Sequence, residues 1–496
     1  MKKTAKLRQI IDSIYASLFI WAMPQVSLVI FKSLVMLSAI FLVSTFAWAS
    51  QNQSRFQRLE STVDKNFSLN AQLSGVQYFS ESAEDSNFQQ QAEVQALYEK
   101  QGTLLVKAKG LVGTFSLSKS SYFAAPEFFV GLSSENAAAD EKSQVVFGRK
   151  IKNFSFLDQQ QNLGLFNSYF TNDMIRYQQQ GLVGVHTQLQ FKKIGFYAGY
   201  YPIYLPNQGP QVYEEDGEIR SSNRWSQKPP SQFRFGNLDR EIVYAIRDYD
   251  IDDIIQNGGE GLSLYFGESS QRPWIQASYA RKPVNQIPLT RDTYGTASNF
   301  IGQVNLSPVV TYSQAQAVDL NFDIANIKST ISYLEDRVFN KVAAEGETLQ
   351  FLKPLKMYGI WVAVDFSEFF RRKMEIEVSY AELNDGEIQD LLADGRTSIF
   401  TYTGQRSLFK KPVSVKLNSE LLFIETRPLS TAFKWTYDEF YNGSLFSGSI
   451  SYQTHARLNL NFGFDLLGVE EETKEAHFLQ DKQANDRVYG GLEYVF

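Results

Sequence analysis

Downstream of residue 66 this chain never runs apolar for more than a few residues; apolar and polar side chains alternate instead. A period of two puts successive side chains on opposite faces of an extended strand. In the clearest case Leu458, Leu460, Phe462, Phe464 and Leu466 share one face, while Asn459, Asn461, Gly463 and Asp465 share the other. The pattern recurs at 318–324, 374–380 and 429–438, with charged residues on the polar face each time. Carboxylates in mid-strand are costly in a dry core and tolerable where the second face is wet. A membrane-spanning helix needs about 20 consecutive apolar residues, so this region can cross a membrane only as strands. No repeat of fixed period is present, which removes propellers and solenoids.

Composition enters at this point. Hydrophobic residues make up 43% of the 496 residues, with 39 Phe and 26 Tyr, yet mean hydropathy is −0.27. A barrel that spends every second strand position on its outer face has this average. A net charge of −6 with no basic stripe argues against a nucleic-acid partner. The absence of cysteine excludes a disulfide framework and thiolate metal sites.

Connections between the alternating segments are long and short by turns. The long set falls at 80–91, 118–123, 151–179, 205–260, 283–308, 339–354, 383–411, 438–442 and 468–486; the short set at 101–102, 133–142, 192–193, 268–272, 325–326, 367–370, 425–426 and 453–456. The exceptions in length are 118–123 and 438–442, brief for their set, and 133–142, long for its own. Bacterial barrels have short periplasmic turns and long outer loops, so the alternation reads as an all-β fold, a closed antiparallel transmembrane β-barrel of about 18 strands, with a range of about 16 to 20.

The last strand, 488–496, alternates Leu492, Tyr494 and Phe496 against Gly491, Glu493 and Val495. The order Tyr489, Gly491, Tyr494, Phe496 resembles the C-terminal β-signal of Gram-negative outer-membrane β-barrel proteins, over nine residues. The resemblance implies a porin-like protein of the cell outer membrane, delivered to barrel-assembly machinery by that strand and surrounded by outer-membrane lipid. It identifies no particular family. Porins of this strand number often form homotrimers, an expectation by analogy alone.

The N-terminus reads as a targeting segment. Lys2, Lys3, Lys6 and Arg8 precede an apolar run broken by Pro24; Lys32 then precedes a second run ending in Ala47-Trp48-Ala49. Small residues at 47 and 49 form a signal-peptide cleavage pattern, placing cleavage after Ala49. A translation start near residue 30 accounts for the surplus length; a retained transmembrane helix is the alternative, and it conflicts with a barrel fate. Residues 50–65 make a short periplasmic segment, too short for a plug domain, and 66–496 the barrel.

The connection 205–260 is the longest and the strongest functional candidate. Its charged residues Glu214, Glu215, Arg220, Arg224, Arg234 and Arg240 would narrow the pore if the loop folds inward. Folded outward, the loop is a surface cap, and the residues do not choose between these. A second group shares the polar strand face and would line the lumen: Lys107, Lys109, Lys328, Lys416 and Lys434, with Asp319, Asp323, Glu375, Glu377 and Asp465. Tyr197, Tyr200, Tyr201 and Tyr204 read as a membrane-interface girdle. The acidic run Asp248, Asp250, Asp252 and Asp253 lacks the glycine turn and terminal glutamate of an EF-hand, so no metal or other cofactor is expected. Only three histidines exist and no hydrolase elbow or phosphate cradle is present, so no enzymatic activity is expected. The expected function is a channel for passive diffusion of small hydrophilic solutes. The alternative is a structural or adhesive surface barrel with a closed lumen, binding a partner through its long loops.

Overall fold

The computed structural model describes residues 67–496 apart from 81–87, 116–119, 137–140, 210–211, 222, 227–228, 230, 236, 248–250, 269–271, 296–301, 397–403, 425, 456 and 471–476. The signal segment, its cleavage point and the 50–65 segment lie outside the described residues. The compact unit runs Asn66–Phe496.

Eighteen antiparallel strands form its wall. In chain order they are β1 (Phe67–Tyr78), β2 (Phe88–Lys100), β3 (Leu104–Phe115), β4 (Ser120–Asn136), β5 (Glu141–Lys150) and β6 (Leu182–Phe191). Next come β7 (Ile194–Ile203), β8 (Gly259–Phe266), β9 (Ile275–Pro283), β10 (Tyr312–Ile324), β11 (Ile327–Phe339) and β12 (Leu355–Asp365). The last six are β13 (Met374–Asp385), β14 (Pro412–Ile424), β15 (Arg427–Asp438), β16 (Gly443–His455), β17 (Leu458–Val469) and β18 (Arg487–Val495). Each strand pairs with its neighbours in sequence, and β1 pairs with β18 through Leu73↔Leu492 and the residues on either side, which closes the ring. The short and long connections fall at opposite ends, as their alternation in the sequence requires.

The pleat sorts the side chains. Phe123, Phe128, Leu132, Phe147 and Leu264 are among the large apolar residues exposed on the outside. The inner face carries Gln72, Glu93, Lys107, Glu377, Lys416 and Asp465, joined across strands by pairings such as Gln72↔Glu93 and Glu377↔Lys416. Two of the shortest turns need left-handed backbone at a non-glycine residue, Lys192 (φ 51°) and Ala325 (φ 52°), the conformation that two-residue hairpins demand.

The principal apolar core lies inside the ring. Phe154, Leu157, Leu163, Leu165 and Phe166 of the β5–β6 connection pack on Tyr197, Tyr201, Leu334, Met357 and Leu383 of the wall. An eighteen-stranded ring is too wide for wall side chains to fill, so a loop supplies the filling. At the long-loop end a separate seven-stranded sheet is assembled from strands of four connections, in the order Gln232–Phe235, Leu238–Ile246, Gly302–Pro308, Leu289–Gly295, Glu347–Leu352, Glu387–Leu392 and Gly404–Gln405. Ile242, Tyr244 and Leu306 form one small core of this sheet.

Glycine is required where an inward aromatic lies flat on the neighbouring strand. A Cβ on Gly195 would fall 1.9 Å from Cζ of Tyr265, its cross-strand partner. Tyr265 is buried, accepts a hydrogen bond from Gln188 (3.1 Å), and its ring lies under Lys152 of the filling loop (5.5 Å). Gly195→Val is therefore predicted to expel the ring and destabilise the barrel by about 1–3 kcal/mol, read as a lower temperature for loss of the compact form on unboiled gels.

Candidate functional site

The β5–β6 connection, 151–181, crosses the lumen. It leaves β5 and is caught first by β9 and β10: Gln276 donates from Nε2 to the carbonyls of Asn153 (2.9 Å) and Phe154 (2.8 Å), and the Phe156 N–H donates to Asp319 Oδ2 (2.9 Å). There it forms one helical turn, Phe156–Gln160, whose N-cap Ser155 accepts from the Asp158 N–H at 3.3 Å. Phe154 stacks on Phe166 (5.0 Å) and meets Tyr197 edge-on (5.4 Å), while Leu157 sits over Gly359 of β12. Buried Asp158 accepts from the N–H groups of Leu165 (2.9 Å) and Phe166 (3.3 Å), closing the turn on itself. Burial pushes its carboxyl up to about 6, against the pull of those bonds and of Lys282.

From this wall the chain returns as a hairpin, Ser168–Phe170 against Gln178–Gln180, braced on β4 by the Phe170–Tyr122 ring contact (5.2 Å) and on β5 by Arg149 bonded to Gln180. Its tip reaches β17 and β18. Arg176 pairs with Asp465 (2.8 Å) and Arg487 bridges Asp465 (2.7 Å) and Asp173 (2.7 Å). The Arg176 guanidinium also lies over the Tyr489 ring at 4.3 Å. Burial raises the Asp173 carboxyl, and Arg487 and Arg176 outweigh it, so the group sits below the usual carboxylate range. Because β10 and β18 stand eight strands apart in the ring of eighteen, the loop is a strap across nearly the full diameter.

On either side of the strap the wall is polar. In β3 and β4, Lys107 pairs with Glu127 (2.6 Å), and Tyr122 donates to Glu93 of β2 (2.6 Å). In β13 and β14, Glu377 accepts from Lys416 (2.7 Å), Asn418 (3.1 Å) and Trp361 (3.1 Å), with Lys434 directly across from Lys416. Lys109 faces Glu127, and Glu375 faces Asn418. Asp323, held by Arg272 at 2.9 Å, is opposite Lys328 near the short turns. Asp319 and Asp465 are engaged by the strap itself. Eight of the ten residues grouped from the polar strand face thus fall in three separate clusters, and Asp319 and Asp465 hold the two ends of the strap.

The 204–258 connection is distributed differently. Glu214, Glu215 and Arg220 lie on a small exposed hairpin, with Arg220 paired to Glu215 (2.6 Å) and Glu218 (3.1 Å), and Ile219 docks it on the outer sheet. Arg240 is in that sheet opposite Phe233, and the Arg234 side chain lies outside the described residues. Arg224 alone reaches the strap's anchorage. It is buried, donates to Asn485 Oδ1 (3.2 Å) and to the carbonyls of Ser80 (3.0 Å) and Ala484 (2.9 Å), and stacks on Tyr78 (4.4 Å). Asn223 beside it donates to the Asn172 carbonyl of the strap (2.8 Å). Apart from the Arg220–Glu215 pair, the five described side chains of this set are not brought together.

The tyrosine girdle is corrected. Tyr197, Tyr201 and Tyr204 are buried inside, with Tyr197 hydrogen-bonded to His186 (2.6 Å) and Tyr201 (3.0 Å); only Tyr200 is exposed outward. Strand parity is the reason, since 197 and 201 share the inner face and 200 the outer. The strap had its own signal in the sequence: Phe154, Phe156, Leu157, Leu163, Leu165 and Phe166 crowd a connection that a solvated loop would fill with polar residues.

Neutralising Asp465 takes the wall carboxylate from both Arg176 and buried Arg487 and leaves Arg487 on Asp173 alone, at a cost of about 3 kcal/mol. Asp465→Asn is predicted to loosen the tip, which keeps Asp173 on Arg487, seen as faster hydrogen exchange of amides 171–177 with those of 155–166 unchanged. The two ends also respond oppositely to pH. Asp158, raised in the fold, stabilises most in acid and loses that contribution as pH rises through about 6; Asp173, lowered, loses its contribution as pH falls below about 4. Exchange at 155–166 should therefore slow relative to its intrinsic rate between pH 7 and 5, while the tip loosens only below about pH 4.

No protein-family model matches the chain, and no curated protein sequence matches it. Among solved structures it is similar to OccD3 (OpdP) of Pseudomonas aeruginosa, at 9% identity and TM-score 0.42, over 87% of this chain and 91% of that one. It is similar also to OccAB4 of Acinetobacter baumannii (8%, TM-score 0.40, 87% and 97%) and to an engineered mutant of Rh. blastica porin (10%, TM-score 0.35, 87% and 99%). The fold itself is read from the strand pairing: a closed, eighteen-stranded antiparallel barrel.

Proposed function

We propose that this protein is an outer-membrane, porin-like channel through which small hydrophilic solutes diffuse passively, with the 151–181 strap as its constriction. The observation that supports this most is the strap: a loop anchored on opposite walls narrows a lumen whose remaining lining is polar and charged. Opposed charges on short tethers, Lys107 with Glu127 and Lys416 with Glu377, make the lining polar without a large net charge. The apolar outer wall suits lipid, residues 1–49 serve as the export signal, and the strand ending at Phe496 directs assembly. A trimer remains an expectation from strand number, to be read by mass measurement in detergent.

The seven-stranded outer sheet favours the second reading, a surface barrel that binds a partner and conducts nothing. Planar bilayers separate the two. The channel reading expects discrete single-channel steps, larger when residues 168–180 are replaced by a short Gly-Ser linker. Protein that keeps its heat-modifiable compact form and gives no steps would overturn it. Removal of Phe496 is expected to reduce the folded barrel recovered from outer membranes several-fold, measured by gel mobility of unboiled membranes.

A further inference from the structure

The outward face of the barrel is not uniform at the long-loop end. On β8 to β14 it climbs in layers. Ile331 and Ile360 are partners with Tyr380 next to Ile360, then Tyr333 and Tyr358 with Glu382 next to Tyr358, then Glu335 and Lys356, and Arg337 above. Another row runs straight across four strands, Glu260↔Arg281↔Gln314↔Arg337. Lys411, before β14, pairs with outward Glu382 at 3.0 Å. Arg337 pairs with Glu335 at 2.8 Å and keeps 60% of its side chain exposed. Arg281 and Lys356 are exposed and make no hydrogen bond or ion pair among the described residues.

This banding is confined to one sector. Toward the same end of β15 to β18 and β1 to β4, outward positions hold residues such as Tyr437, Phe446, Leu466, Val488, Gln90 and Phe123, and among the described residues no lysine or arginine. A soluble surface would scatter its cations. Here they stand on the lipid side of the wall, one step beyond a tyrosine layer, where the neighbouring matter is the headgroup layer of the outer leaflet.

We infer that the outer rim of β9 to β14 is a binding surface for a phosphate-bearing lipid headgroup of the outer leaflet, gripped by Arg281, Arg337 and Lys356. Arginine supplies a planar fork that matches phosphate oxygens, and lysine a point charge. Glu335 positions Arg337, and Glu260 and Glu382 beside the patch join it in offering oxygens to a divalent ion shared with the headgroup. The inference rests on the proposed membrane setting, with the long loops facing outward, and not on whether the lumen conducts.

The test is a titration of the folded, full-length mature barrel in detergent with diphosphorylated lipid A, dephosphorylated lipid A and inorganic phosphate, read by the unfolding temperature of the compact form. Diphosphorylated lipid A is expected to raise that temperature, and the Arg281→Gln/Arg337→Gln/Lys356→Gln variant to require about tenfold or more lipid for the same shift. Lys192→Gln/Lys193→Gln, at the opposite end, should bind as the unmodified protein does. If the triple variant does not fold, the single Arg337→Gln and Lys356→Gln variants give the same reading. Equal shifts with dephosphorylated lipid, an equal shift with inorganic phosphate alone, or equal loss in the variant at the opposite end would each overturn the surface. Failure to see channel steps would bear on the channel reading alone, because the lipid titration reads the outer wall of the intact barrel.

Discussion

Everything in this molecule depends on the seam between β1 and β18. A sheet with an apolar outer face cannot leave an edge in lipid, because each unpaired N–H or C=O there costs several kcal/mol with no water to take it. Register Leu73↔Leu492 ends that problem and also fixes which faces continue around the ring, since a slip of one residue there would join the face that carries Glu93 and Lys107 to the face opposite Asp465. Pairing across the seam runs the whole of β18, and the Phe496 N–H adds a bond to the Leu69 carbonyl (2.8 Å) just past its end. The chain terminus is thereby stitched into the wall.

Closure creates a second constraint, a lumen wider than its own lining. Chains can leave it open to water or fill it, and this one divides it. The strap's helical end brings a dry cluster against β7 to β13, where small wall residues such as Ala315, Ala317 and Ala381 make room for Phe154 and Leu157. The same end buries an ionisable carboxyl, Asp158, which is tolerable because two backbone N–H groups and a nearby lysine answer it. The polar clusters are left for the region beside the strap.

Much of the wall was legible in the sequence, because a strand is a local object. Period-two patterning marks it, turn length orients it, and 192–193 and 325–326 were readable to the residue. The strap was harder because inward folding is a non-local choice: nothing near Phe154 says whether its partner is Met357 across the ring or a neighbouring loop. Length pointed to 205–260, whose charges the structure distributes over an outer hairpin, an outer sheet and the cover of the strap's tip. Apolar content would have been the better guide, since a loop carrying Phe154, Leu157, Leu163, Leu165 and Phe166 needs a core to enter. Tyrosine misled for a related reason. Its ring suits both an interface and a core with a hydrogen-bond partner, so residue type alone could not separate Tyr200 from Tyr197; parity with Gly195 and Gly199 on the inner face could.

The two ends of the strap are held by different physics. At the helical end Phe154, Leu157 and Phe166 are almost wholly buried, and water offers apolar groups no substitute for their partners. At the tip Asp173 and Arg176 keep 29% and 40% of their side chains exposed, and water competes for both. Only Asp465 and Arg487, sealed in the wall, turn that ionic contact into a strong one, because the wall has already removed them from water and leaves each the other and the tip as partners. Arg224 and Asn485 from two further loops cover the junction and limit solvent access to it. The strength of the tip's attachment is therefore set less by the loop's own residues than by two side chains buried in β17 and β18, beside the seam on which closure depends.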